Sequence, residues 1–310
     1  MVYHMFRWNL VGLLFVALLV VTATVFLCSS VLVSATTAAP RAQLTPTAVS
    51  GNAEALIDLP PLSPEIIDNL QRVYHNGIAQ GNDPNHFILV GDSNDVNPRF
   101  LQSFSYGNYD LGPHTYLQPL IDAYNAAGAF GADYPSSESG MTMNMLMDPV
   151  FVNPAICPQA ANLLDCAIQL YKPSVAIIYM GTYDTCQTSF DVYRENFQSA
   201  MQLLTARGVI AILTTYTVYM DEGCWASTPA YTGVISEMAS TYRMPLIDLP
   251  TYTHSLPDAG LEPDGWHLSY PRDYHTSFAG GEALYGNTRR ELLTLQMLYL
   301  LRRDIMGINP

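Results

Sequence analysis

The sequence predicts a three-layer α/β/α sandwich built on a central parallel sheet. Three observations point there. Short apolar runs such as Phe87-Ile88-Leu89-Val90, Val175-Ala176-Ile177-Ile178 and Val209-Ile210-Ala211-Ile212-Leu213 lack the alternation of a half-exposed strand, as expected of strands covered on both faces. Helical stretches lie between the runs, and parallel strands need such crossovers to return the chain to the same end of the sheet. No linker or composition break divides residues 63 to 310, so a single domain is expected there.

The elements follow in chain order. Ser63-Pro64-Glu65 offers an N-cap, a proline at the first helical position and an acid in the first turn, and Ile66, Ile67, Leu70 and Val73 continue at helical spacing towards Gly77. Strands are expected over His86 to Val90, Ser174 to Met180, Val209 to Thr215 and Pro245 to Leu249. Helices are expected over Tyr116 to Ala127, Phe190 to Ala206, Val234 to Tyr242 and Arg289 to Arg303.

The first 40 residues differ from the rest. After Arg7 no Asp, Glu, Lys, Arg or His appears until Arg41, and Leu10 to Leu27 is almost wholly apolar. A cleaved signal peptide carries an apolar run of roughly 7–15 residues and a spanning helix about 20, so residues 1–35 read as a membrane anchor, with a cleaved signal peptide as the alternative. Val33-Ser34-Ala35 would suit a signal peptidase. Arg7 holds the N-terminal flank in the cytoplasm and sends the remainder across, so an extracytoplasmic domain is expected, either tethered or secreted. Residues 36–62, rich in Thr, Ala and Pro, read as a spacer.

Composition narrows the function. The 310 residues carry 13 Lys and Arg against 27 Asp and Glu, and Lys172 is the only lysine, so no broad basic surface for nucleic acid is available. Membrane contact is expected through the N-terminal segment alone. Outside that segment, which contains Cys28, four cysteines remain. An even number in an exported chain suggests two disulfides, with Cys157/Cys166 and Cys186/Cys224 the favoured pairs of three possible pairings. Zinc ligation is the rival, but no paired CxxC spacing or neighbouring His accompanies them.

Ligands of parallel α/β sheets collect at the carboxyl ends of the strands, and the residues there are unusual. The first apolar run enters Gly91-Asp92-Ser93-Asn94-Asp95, the second enters Gly181-Thr182-Tyr183-Asp184, and Asp264-Gly265-Trp266-His267-Leu268 lies in a Gly/Pro-flanked loop after the last strand. A serine hydroxyl becomes a useful nucleophile when a base takes its proton, and an imidazole held in one tautomer by a carboxylate suits that role near neutral pH. Ser93, His267 and Asp264 supply the three groups, with Gly91 allowing a sharp bend beside the serine.

These blocks resemble the GDSL/SGNH hydrolase family. The resemblance rests on Phe87 to Ser93, on Ile178 to Asp184 where the family usually has Gly-x-Asn-Asp, and on Asp264-Gly265-Trp266-His267, and it covers most of residues 63 to 304. It implies a flavodoxin-like fold and a serine esterase that needs no cofactor and no metal. It places the nucleophile at Ser93, the base at His267, the orienting acid at Asp264 and an oxyanion-binding glycine at Gly140, with Gly128 and Gly131 nearby as alternatives. One departure stands out: Tyr183 occupies the position of the family's oxyanion Asn, and Asn144 is a candidate to supply the missing amide. Two readings follow. The chain is an esterase acting on carbohydrate or small-molecule esters, lipid esters being the second choice, or a weak or inactive ligand-binding relative. His254 and His275 lack an acid three residues upstream, and Asp92, Asp95 and Asp184 are expected to accept backbone N–H bonds rather than hold a cation.

Overall fold

The computed structural model describes residues 54–309, apart from 97, 217 and 221. The expected membrane segment at 1–35 and the spacer up to residue 53 lie outside the described residues. Among those described, no helix is long and apolar enough to cross a membrane.

Four parallel strands form the central sheet: β1 (Asp83–Gly91), then after the outlying pair described below β3 (Pro173–Tyr179), β4 (Ile210–Thr214) and β5 (Leu246–Ile247), in spatial order β1-β3-β4-β5. Val90 pairs with Ile178, Ile178 with Leu213 and Leu213 with Leu246, so the strand ends line up along one edge. Every residue of β3 and β4 is buried, which requires cover on both faces. The last strand is shorter than expected because Leu249 and Pro250 already belong to a helical turn, Leu249–Thr253. Beyond β1 the sheet continues, among the described residues, as a parallel bridge between Gly91 and Ser137. The outlying pair, β2 (Tyr109–Asp110) and β6 (Thr276–Ser277), is too short to leave a sequence signal.

The first helix, α1 (Pro64–Ala79), has the expected cap: Ser63 Oγ accepts the Ile66 N–H at 3.4 Å. It is followed by α2 (Gln118–Ala126), α3 (Met143–Met147), α4 (Leu163–Tyr171), α5 (Phe190–Ala206), α6 (Thr228–Tyr242) and α7 (Gly286–Leu300). Helix α4 was not expected; its Asn162 cap accepts the Asp165 N–H at 2.8 Å, but it ends on Lys172 in the left-handed region (φ 47°), without the glycine that usually signals a stop.

Residues 54–62, read from the sequence as spacer, instead lie against the domain. Leu59 is buried, the Gln296 amide donates to the Leu56 carbonyl at 2.8 Å, and Asp58 pairs with Arg289 at 3.1 Å. Both expected disulfides are present, Cys157–Cys166 and Cys186–Cys224. The second joins the turn after β3 (Asp184–Gln187) to the turn before α6 (Gly223–Ser227), so it clamps two loops at the ligand edge of the sheet.

Candidate active site

β1 delivers Ser93 two residues beyond its last paired residue. Gly91 is demanded by close approach: a Cβ there would lie 2.1 Å from Asp95 Oδ2. The turn is pinned by the Asn94 N–H donating to Asp92 Oδ1 at 3.0 Å, and by the Gly91 N–H donating to the Ser136 carbonyl at 3.2 Å. Asp92 is buried, and burial pushes its carboxyl above the ordinary range. Asp95 is buried beside it, paired with Arg290 of α7 at 2.5 Å, while the Arg290 guanidinium lies between the rings of Phe100 and Tyr179, 3.8 and 4.0 Å from their centres. The turn that carries Ser93 is thus anchored into the core from below.

His267 meets Ser93 from a loop that follows the last strand of the sheet. Ser93 Oγ and His267 Nε2 are 2.7 Å apart, and His267 Nδ1 is 2.6 Å from Asp264 Oδ2. Asp264 Oδ1 also accepts the main-chain N–H groups of Trp266 (3.2 Å) and His267 (3.0 Å), so the acid and the base are held by one local turn. Burial works against the charge on Asp264, but these hydrogen bonds outweigh it and hold the carboxyl below its ordinary value. The Trp266 indole lies against the imidazole, with ring centres 3.7 Å apart and planes tilted by 34°. One long-range bond ties the two loops together: Asn94 Oδ1 accepts the Leu268 N–H at 2.9 Å.

The candidate oxyanion residues divide. Gly140 adopts a left-handed conformation (φ 79°) on the segment that runs beside the end of β1, and a Cβ on it would stand 3.6 Å from the Tyr183 ring. Gly140 and Tyr183 are therefore neighbours. Gly128 opens the turn Ala129–Gly131 in a left-handed conformation (φ 76°) and Gly131 faces Ser105, so neither joins them. Asn144 is exposed on α3, where its carbonyl oxygen is 3.5 Å from the Asn196 amide, and no hydrogen bond connects it to the triad. The Tyr183 hydroxyl hydrogen-bonds to no described residue. Asp184 next to it accepts the Met143 N–H at 3.0 Å, and burial pushes its carboxyl up to about 7.

The other histidines lie elsewhere. His254 Nδ1 is 2.8 Å from the Thr251 carbonyl, and His275 Nδ1 is 3.0 Å from Asn108 Oδ1. The carboxylates considered for a cation have other partners: Arg290 for Asp95, Asn94 for Asp92 and the Met143 N–H for Asp184. Three positions that support the site escaped the sequence reading. Asn94 carried a signal in its adjacency to Ser93. Arg290 carried only the oddity of a charge inside a helix that is buried almost throughout, and Trp266 only its place between the acid and the base.

No family model and no curated protein matches the chain. Solved structures similar to it include a GDSL-like lipase from Bacteroides thetaiotaomicron, at 14% identity over 78% of this chain and 98% of that one (TM-score 0.40). Others are an acetylxylan esterase from Geobacillus stearothermophilus, at 15% identity over 72% and 95% (TM-score 0.40), and the esterase EstA from Pseudoalteromonas, at 13% identity over 71% and 97% (TM-score 0.39).

Proposed function

We propose that the chain is a serine esterase that cleaves carboxylic esters of carbohydrates or other small alcohols through an acyl-enzyme. The continuous relay of Ser93 Oγ, His267 and Asp264, with contacts of 2.7 and 2.6 Å, carries this reading. His267 takes the Ser93 proton as Oγ attacks the ester carbonyl. The same proton then passes to the departing alkoxide as its C–O bond breaks, leaving acyl-Ser93. Water, deprotonated by His267, attacks that acyl group and releases the acid and free serine. Asp264 keeps the imidazole in the tautomer with Nε2 facing the serine and stabilises the imidazolium. No step requires a cofactor. Two disulfides support an extracytoplasmic setting, and the apolar N-terminal segment supports tethering to a membrane or secretion after cleavage.

The Ser93 and Gly140 main-chain N–H groups are the proposed oxyanion donors. A second reading, a ligand-binding protein with little turnover, is favoured by one observation: the Tyr183 ring packs against Gly140 where the resemblance calls for a short amide. Turnover of short-chain nitrophenyl esters separates the two. In an esterase with a weakened oxyanion site, Tyr183→Asn should raise kcat by up to about 10²–10³, the worth of one oxyanion donor, with a smaller change in KM. Tyr183→Phe should lower kcat if the phenol is itself the donor. No turnover by the wild type, with activity created by Tyr183→Asn, would establish the binding-protein reading.

A further inference from the structure

The turn before α6 and the histidine loop together build a second wall at this site. Trp225 lies 6.1 Å from Trp266, with the indole planes 30° apart, and Trp266 lies in turn against His267, tilted by 34°. Trp225 also lines a cleft of about 360 Å³ with Tyr216, Met220, Thr228 and Thr232. One wall of the cleft is tied to the histidine loop: the Tyr219 N–H donates to the Gly265 carbonyl at 2.8 Å, and Met220 Cγ lies 3.5 Å from where a Cβ of Gly265 would stand. Its floor is tied to the turn after β3, because the Tyr216 hydroxyl donates to the Gly181 carbonyl at 2.8 Å. The Cys186–Cys224 disulfide fixes the chain next to Trp225. Thr228 is 8% exposed, and its hydroxyl has no hydrogen-bond partner among the described residues.

We infer that this cleft is the subsite for the alcohol portion of the ester and that it takes a pyranose ring, an inference that rests on the esterase reading above. The leaving oxygen must sit at His267 Nε2 to receive the proton, and the rings of Trp266 and Trp225 lead from that imidazole to the cleft, so the alcohol is placed along them. The lining points to the class: an indole face accepts the flat C–H face of a sugar, and the Thr232 hydroxyl, which donates to the Thr228 carbonyl, keeps lone pairs that can accept from a ring hydroxyl.

The test compares peracetylated methyl glucoside with ethyl acetate, which has the same acyl group and no ring. The wild type should favour the glucoside in kcat/KM. Trp225→Ala should reduce that preference roughly tenfold or more, chiefly through KM, and Trp225→Phe should restore part of it. Thermal melts show whether each variant is folded. An unchanged preference in folded Trp225→Ala would overturn the subsite while leaving the esterase standing. If the wild type cleaves neither ester, the esterase reading itself fails, and calorimetry with the same glucoside on Ser93→Ala then decides the cleft. Saturable binding that Trp225→Ala abolishes in that background supports the sugar site, and no binding overturns it.

Discussion

Ser93 and His267 stand in contact, yet they are held by opposite means. Ser93 rests on buried groups: Asp92, Asp95 and Arg290 are inaccessible, and the last two form an ion pair enclosed by aromatic rings. His267 rests on a surface turn whose Asp264 side chain is 43% exposed, and its supports are local apart from the Asn94–Leu268 and Tyr219–Gly265 bonds. Buried charge is costly unless paired, so the serine side joins catalysis to stability. An exposed Asx-type turn can be altered without opening the core, so the histidine side separates them.

The largest expected effect exploits that contrast. His267→Ala should lower kcat by roughly 10⁴–10⁶ and leave the melting temperature unchanged, whereas Arg290→Met should destabilise the fold by about 3–5 kcal/mol because Asp95 then stays buried without its partner. Chemical denaturation and ester turnover of both variants measure the two effects. Equal destabilisation by both would break the distinction.

A smaller effect should appear in pH dependence, with opposite signs in the two regions. Burial pushes Glu291, which accepts the Leu101 N–H at 2.7 Å, up to about 7, as it does Asp184. Between the ordinary carboxylate range and pH 7 the folded state holds these protons and the unfolded chain does not. Their contribution is therefore full in acid and lost as the pH rises through about 7. Asp264, held below its ordinary value, contributes above that range, and its contribution is lost on strong acidification. Melting temperature should fall by several degrees from pH 5 to pH 8, and Glu291→Gln should flatten the fall. A melting temperature that rises over that range would contradict the assignment.

The same contrast explains what was legible in the sequence. Strands buried on both faces announce themselves as unbroken apolar runs, so β1, β3 and β4, and the reactive residues at the ends of β1 and β3, could be read directly. Asp-x-x-His was legible because a local turn makes its own contacts. Arg290 and the Asn94–Leu268 bond were hidden because both act across more than 170 residues of chain. Helix α7 was placed three residues late, since Tyr285 offers no capping side chain and buried Asn287, Thr288, Arg290 and Glu291 mask its apolar face. Asn144 is turned to solvent beside Asn196, a direction that helical spacing in the sequence does not reveal.

The central claim, that the core-held serine is a nucleophile activated by the surface-held histidine, is tested most directly by fluorophosphonate labelling of the purified chain with mapping of the modified peptide. The account predicts modification at Ser93, abolished by Ser93→Ala and slowed at least about 10²-fold by His267→Ala while both variants stay folded. Labelling that persists in Ser93→Ala, or that proceeds at the wild-type rate in His267→Ala, would contradict it.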